Sequence, residues 1–106
     1  MKKVSILLAL LLLLTGCGDI SHASITPVSR EDGSGTRGAF VELFDIQEKD
    51  ENGEKMDMTT DLAEITNSTA VMLLTVTGNK NAIGYISMGS MNDAVKTLEI
   101  DGVKAT

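Results

Sequence analysis

The chain has 106 residues, a formal net charge of −6 and a single cysteine. An acidic chain with neither a basic patch nor an aromatic stacking platform excludes nucleic acid as a partner. One cysteine excludes an intramolecular disulfide, and one histidine leaves no His/Cys cluster to hold a transition metal.

The first residues read as an export signal. Lys2 and Lys3 form a short positive region, and Val4 to Leu14 is apolar apart from Ser5. That run suits the hydrophobic part of a signal peptide and falls short of the roughly 20 apolar residues of a transmembrane helix. It ends in Leu14-Thr15-Gly16-Cys17, which resembles a bacterial lipobox, where small residues admit the signal peptidase and the cysteine sulfur takes a diacylglycerol. The plainer alternative is a secretory signal with an incidental cysteine. Lipidation of Cys17 explains why an exported chain carries one unpaired thiol. Residues 1–16 are thus read as a lipoprotein signal peptide and residues 17–24 as the lipidated cysteine and a polar tether. Residues 25–106 form one small domain, short enough that its stability is expected to be marginal.

Within that domain, Ile25 to Ser29 reads as a strand, with Pro27 placing it at an edge or a strand start. Gly33-Ser34-Gly35-Thr36 is a glycine-rich loop, and Ala39, Phe40, Leu43 and Phe44 follow at helical spacing, predicting a helix from about Gly35 to Phe44. Gln47 to Asp61 is charged and reads as an exposed loop. Its stretch from Glu48 resembles half of a calcium loop, but Glu stands first and Thr59 stands where a bidentate glutamate belongs. Ala70 to Val76 is an apolar run that suits a helix capped by Ser68 or Thr69 and ended by Gly78. Ala82 to Ser87 reads as a buried strand, and Val95 to Ile100 as an alternating strand before an Asp101-Gly102 turn. This order predicts an α/β domain.

The chemistry concentrates in Arg30-Glu31-Asp32-Gly33-Ser34-Gly35-Thr36-Arg37-Gly38. A loop that opens a helix presents unpaired backbone N–H groups and the positive end of the helix dipole. Ser34 and Thr36 add hydroxyls, Gly33 and Gly35 permit close approach of the backbone, and Arg30 offers a planar fork of donors. Together they suit one small tetrahedral anion. Asp32 would repel an anion, so its expected role is to pair with Arg30 and fix its direction. A simple turn with a helix cap and solvated charges is the plain alternative.

Gly33, Gly35 and Gly38 satisfy a dinucleotide fingerprint, but a lone match outside the cytoplasm carries little weight. The P-loop pattern fails because no Lys-Ser or Lys-Thr follows the last glycine. With His22 in the tether, Ser34 has no evident base for hydrolytic chemistry, and the chain is read as a non-enzyme without cofactor or metal.

Ile25 through Phe40 resembles the anion-binding segment of the phosphate-binding proteins of the PstS family, and Ala82 to Ser87 with Val95 to Val103 resembles the strands that follow it. The resemblance implies a partial lobe of a type II periplasmic-binding-protein-like fold. Arg30, Ser34, Gly35 and Thr36 fall on the family's phosphate-contacting positions, and Asp32 on the acidic partner of the arginine. It further implies capture of inorganic phosphate at the extracytoplasmic face of the cell membrane, and delivery to an ABC permease and its ATPase. The family's first lobe has no counterpart here, so the resemblance describes an internally deleted member, a gene remnant or a fragment. The alternative is an accessory lipoprotein that keeps the α/β lobe as a docking surface and binds no ligand.

Overall fold

The computed structural model describes residues 24–105; the signal peptide, Cys17 and nearly all of the tether lie outside the described residues. The organising element is β1 (Thr26–Arg30), the middle strand of a three-stranded sheet. It pairs in parallel with β4 (Glu64–Thr66) on one side and with β5 (Ala82–Ile83) on the other. Val28 and Ser29 are both buried, and neighbouring strand residues point to opposite faces, so β1 is covered on both sides. Pro27 lies near the start of this strand, as its missing N–H requires. The strand itself is central and reaches Arg30.

Helix α1 (Gly35–Leu43) follows β1, and helix α2 (Thr69–Gly78) follows β4. Each begins at a serine in extended backbone whose hydroxyl accepts an N–H three residues on: Ser34 from Arg37 at 3.3 Å and Ser68 from Val71 at 3.1 Å. Of the apolar stripe expected on α1, Leu43 faces out at 80% exposure, and Val41 is the residue turned into the core. The core around β1 is completed by Met72 of α2.

Three expectations are corrected. The charged stretch after α1 is exposed, but it holds an antiparallel hairpin of β2 (Gln47–Lys49) and β3 (Lys55–Asp57). Its turn is tied by Asp50, whose carboxylate accepts from the N–H groups of Asn52 and Glu54 at 2.8 Å each, with Gly53 at φ 79°. The strand expected from Ala82 stops after Ile83. Gly84 comes next, packed so closely that a Cβ there would lie 2.5 Å from Met72 Sδ. Val95 to Ile100 forms no strand; a single bridge joins Ile100 to Val103 around Asp101 and Gly102, both at positive φ. Alternation in sequence makes a strand only where another strand lies alongside to pair with it.

Candidate functional site

Parallel strands put all their carboxyl ends on one edge, and β1 and β4 are neighbours. The helices that follow them therefore both open at that edge, where open α/β sheets bind their ligands. Arg30 is the last residue of β1, in register with Thr66, the last residue of β4. The chain leaves the sheet through Glu31, whose N–H still reaches the Thr66 carbonyl at 2.9 Å, and turns back so that the Ser34 N–H meets the Glu31 carbonyl at 3.2 Å. Gly33 takes φ 84°, a left-handed conformation that a side chain would strain. Gly35 and Thr36 then open α1 with N–H groups that have no intrahelical acceptor. The Ser34 oxygen is committed to the Arg37 N–H, which leaves its hydroxyl hydrogen to donate.

The Arg30 side chain is 13% exposed, and its guanidinium meets Glu31 rather than Asp32: Nε donates to Glu31 Oε2 at 2.8 Å and Nη2 to Oε1 at 3.0 Å. The expected partner was misplaced by one residue, because the chain turns out of the strand at Glu31 and neighbouring side chains can swing to the same side. Asp32 is exposed and lends its field to Arg37 instead. The Glu31 hydrogen bond raises Arg30 further above its ordinary value against the opposing effect of burial. In return the Arg30 hydrogen bond holds the Glu31 carboxyl below its usual range. Glu31 takes one side of the fork, so Nη1 and the second Nη2 hydrogen remain for another acceptor. Among the described residues, Nη1 makes a single long contact, 3.5 Å, to the hydroxyl of Thr69 at the start of α2.

Two supports went unseen in the sequence. The Tyr85 hydroxyl accepts the Arg30 backbone N–H at 3.2 Å and lies 2.9 Å from the Ser29 hydroxyl, while its ring stacks on Phe40 at 4.0 Å. Arg37 reaches back along the loop to donate from Nη1 to the Arg30 carbonyl at 2.9 Å. The sole local signal for Tyr85 was a polar-tipped aromatic in an apolar run, which when buried usually finds a hydrogen-bond partner. Among the described residues no group of three or more metal-ligating side chains converges, and no helix is long and apolar enough to cross a membrane.

The chain is 56% identical over 98 residues to the phosphate-binding protein PstS 2 of Streptococcus agalactiae, a match that takes in 89% of this chain and 33% of that protein. It superposes with a TM-score of 0.74 on the crystal structure of a phosphate ABC transporter's phosphate-binding protein from Streptococcus pneumoniae, at 57% identity over 78% of this chain and 32% of the other. The chain is similar to the PstS phosphate-binding proteins. It spans about a third of the length of the relatives it matches, and its sheet and helices match part of one α/β lobe of their fold. A Clostridium perfringens substrate-binding protein assigned to phosphate ABC transport, solved with bound phosphate, is 43% identical with a TM-score of 0.65, over 77% of this chain and 30% of the other. No family model matches the chain.

Proposed function

We propose that this chain provides the anion-gripping segment of an extracytoplasmic lipoprotein that captures inorganic phosphate for import by an ABC permease and its ATPase. In this reading Arg30, Ser34, Gly35 and Thr36 hold the phosphate oxygens, Glu31 in place of Asp32 directs the arginine, and Cys17 carries the lipid that keeps the protein at the membrane. The observation that carries the reading is the position of Arg30: at the carboxyl end of the central strand, on the same sheet edge as the opening turn of α1. A guanidinium with an unfilled fork, two free N–H groups and two hydroxyls form a donor set of the size and charge of a tetrahedral oxyanion.

Capture and release fit the same residues: the Ser34 oxygen is engaged as the helix cap, accepting the Arg37 N–H at 3.3 Å.

Titration calorimetry of the mature protein with inorganic phosphate tests this, with a neutral sugar as control. Saturable binding of one phosphate per site and no heat with the sugar is the expected result. Tighter binding of the sugar, or no saturation by phosphate, would refute the reading. Mass spectrometry of membrane-extracted protein should find a lipid-modified N-terminal Cys17; any other mature N-terminus overturns the anchor.

A further inference from the structure

Arg37 is the third residue of α1, and its backbone N–H is already used by the Ser34 cap. Its side chain does two further things. Nη1 donates to the Arg30 carbonyl at 2.9 Å, and Nε donates to Asp57 Oδ2 at 2.8 Å, on β3 of the hairpin. Asp57 is itself fixed: its Oδ1 accepts from the Thr59 N–H at 2.8 Å and from the Thr59 hydroxyl at 2.6 Å. The pair is partly shielded, with 16% of the Arg37 and 31% of the Asp57 side chain exposed. The Asp57 hydrogen bond raises Arg37 above its ordinary value. Burial pushes Asp57 up, but the Thr59 and Arg37 hydrogen bonds outweigh it and hold the carboxyl below its usual range.

We infer that Arg37 is a positioning residue for the anion site: held by Asp57, it clamps the Arg30 carbonyl, so the β2–β3 hairpin braces the strand end from which Arg30 projects. A planar guanidinium suits this work because its donors point in fixed directions and bridge two acceptors at once. Among the described residues, the hydrogen bond from Arg37 to Asp57 ties the hairpin to the loop that carries the donor set. A displacement of a donor by less than an ångström weakens a charge-assisted hydrogen bond, so the brace acts on affinity without contacting the anion. The consequence for phosphate rests on the function proposed above; the brace itself does not.

The test therefore has two independent readouts. The first is amide hydrogen exchange of the full mature protein without phosphate, comparing wild type, Asp57→Ala and Asp57→Asn. In Asp57→Ala the amides of Ser34, bonded to the Glu31 carbonyl, and of Gly38, bonded in the first turn of α1 to the Ser34 carbonyl, should exchange on the order of fivefold faster while those of α2 keep their rates. Asp57→Asn, whose amide oxygen still accepts from Arg37, should fall between. Unchanged loop exchange in Asp57→Ala overturns the inference, and so does equal acceleration throughout α2, which would mean general loosening. The second readout is inorganic phosphate affinity of Arg37→Ala, expected to weaken about threefold to tenfold. An unchanged Kd there also overturns the positioning role. If wild type itself fails to bind phosphate, the function proposed above fails while the exchange result still decides the brace.

Discussion

The hydroxyl of Tyr85 accepts the backbone N–H of Arg30 at 3.2 Å, across 55 residues of sequence. The reason lies in the sheet. β5 ends at Ile83, in register with Pro27, so the neighbouring strand no longer runs beside β1 where Arg30 stands. The Tyr85 side chain continues the pairing that the backbone abandons, and bonds Ser29 as well. Stacking on Phe40 of α1 fixes the ring, so one side chain ties β1, α1 and the segment after β5 together.

Tyr85→Phe should keep the ring stack and lose both hydrogen bonds. The Arg30 N–H is then left without a partner, at a cost of about 1–3 kcal/mol for a shielded donor. For a domain of this size that lowers Tm by roughly 4–8 °C per kcal/mol. Thermal unfolding followed by circular dichroism checks it, and a Tm equal to wild type would show that water takes over the hydroxyl's role.

β1, its loop and α1 were legible because their signals are local: an N-cap serine, glycines at the turn and an apolar pattern behind them. α2 was legible through Ser68 and Gly78. β4 was not, since three residues with only Thr66 buried carry no periodicity. The hairpin was hidden by its charges, although Asp50 and Gly53 marked its turn. At the site, the residue types and the loop could be read from sequence. Their supports could not, because Tyr85 and Asp57 reach it from 55 and 20 residues away. The exchange of Asp32 for Glu31 turned on side-chain direction at a strand end, which spacing does not specify.

Gly84 makes a separate prediction about the core. A Cβ there would stand 2.5 Å from Met72 Sδ and 3.2 Å from Val76 Cγ2, and Met72 is only 1% exposed. The sulfur lies mid-chain and has little room to retreat. Gly84→Ala should destabilise by about 1–3 kcal/mol, and Met72→Ala added to it should cost less than the two changes summed. Additive losses in chemical denaturation would mean that the contact is not tight.

The Arg30–Glu31 pair predicts a pH dependence. Arg30 holds the Glu31 carboxyl below its ordinary value of 4.5, so the folded state binds this proton less readily than the unfolded chain. The contribution to stability is complete above the unfolded value and is lost as pH falls through the lower folded value. Asp57, also lowered from 3.8, acts in the same direction. Tm should therefore hold at neutral pH and drop below about pH 4.5. Glu31→Gln should flatten part of that fall. A Glu31→Gln profile parallel to wild type across the acid range would contradict the pairing.

Arg30 separates binding from folding. Its guanidinium already satisfies Glu31 through Nε and Nη2, so its charge is partnered before any anion arrives. What it offers phosphate is the remaining edge of the fork. Arg30→Ala removes that edge and should weaken phosphate binding about tenfold or more, the loss expected for a charge-assisted hydrogen bond in an open site. Arg30→Lys should restore only part, because an ammonium cannot hold the Glu31 carboxylate along two parallel bonds and still face the anion squarely. Glu31→Gln should weaken binding less than Arg30→Ala, since the donors remain and only their direction is loosened. The backbone bonds of Arg30 to Tyr85 and Arg37 survive all three changes, so Tm at neutral pH without phosphate should fall by no more than the small contribution of the Arg30–Glu31 pair, the same amount that wild type loses through that pair in acid. Calorimetric titration and thermal melting of the same preparations decide the matter. If Arg30→Ala lowers Tm and leaves the phosphate Kd unchanged, the arginine is a structural residue, and the anion site lies elsewhere on the sheet edge.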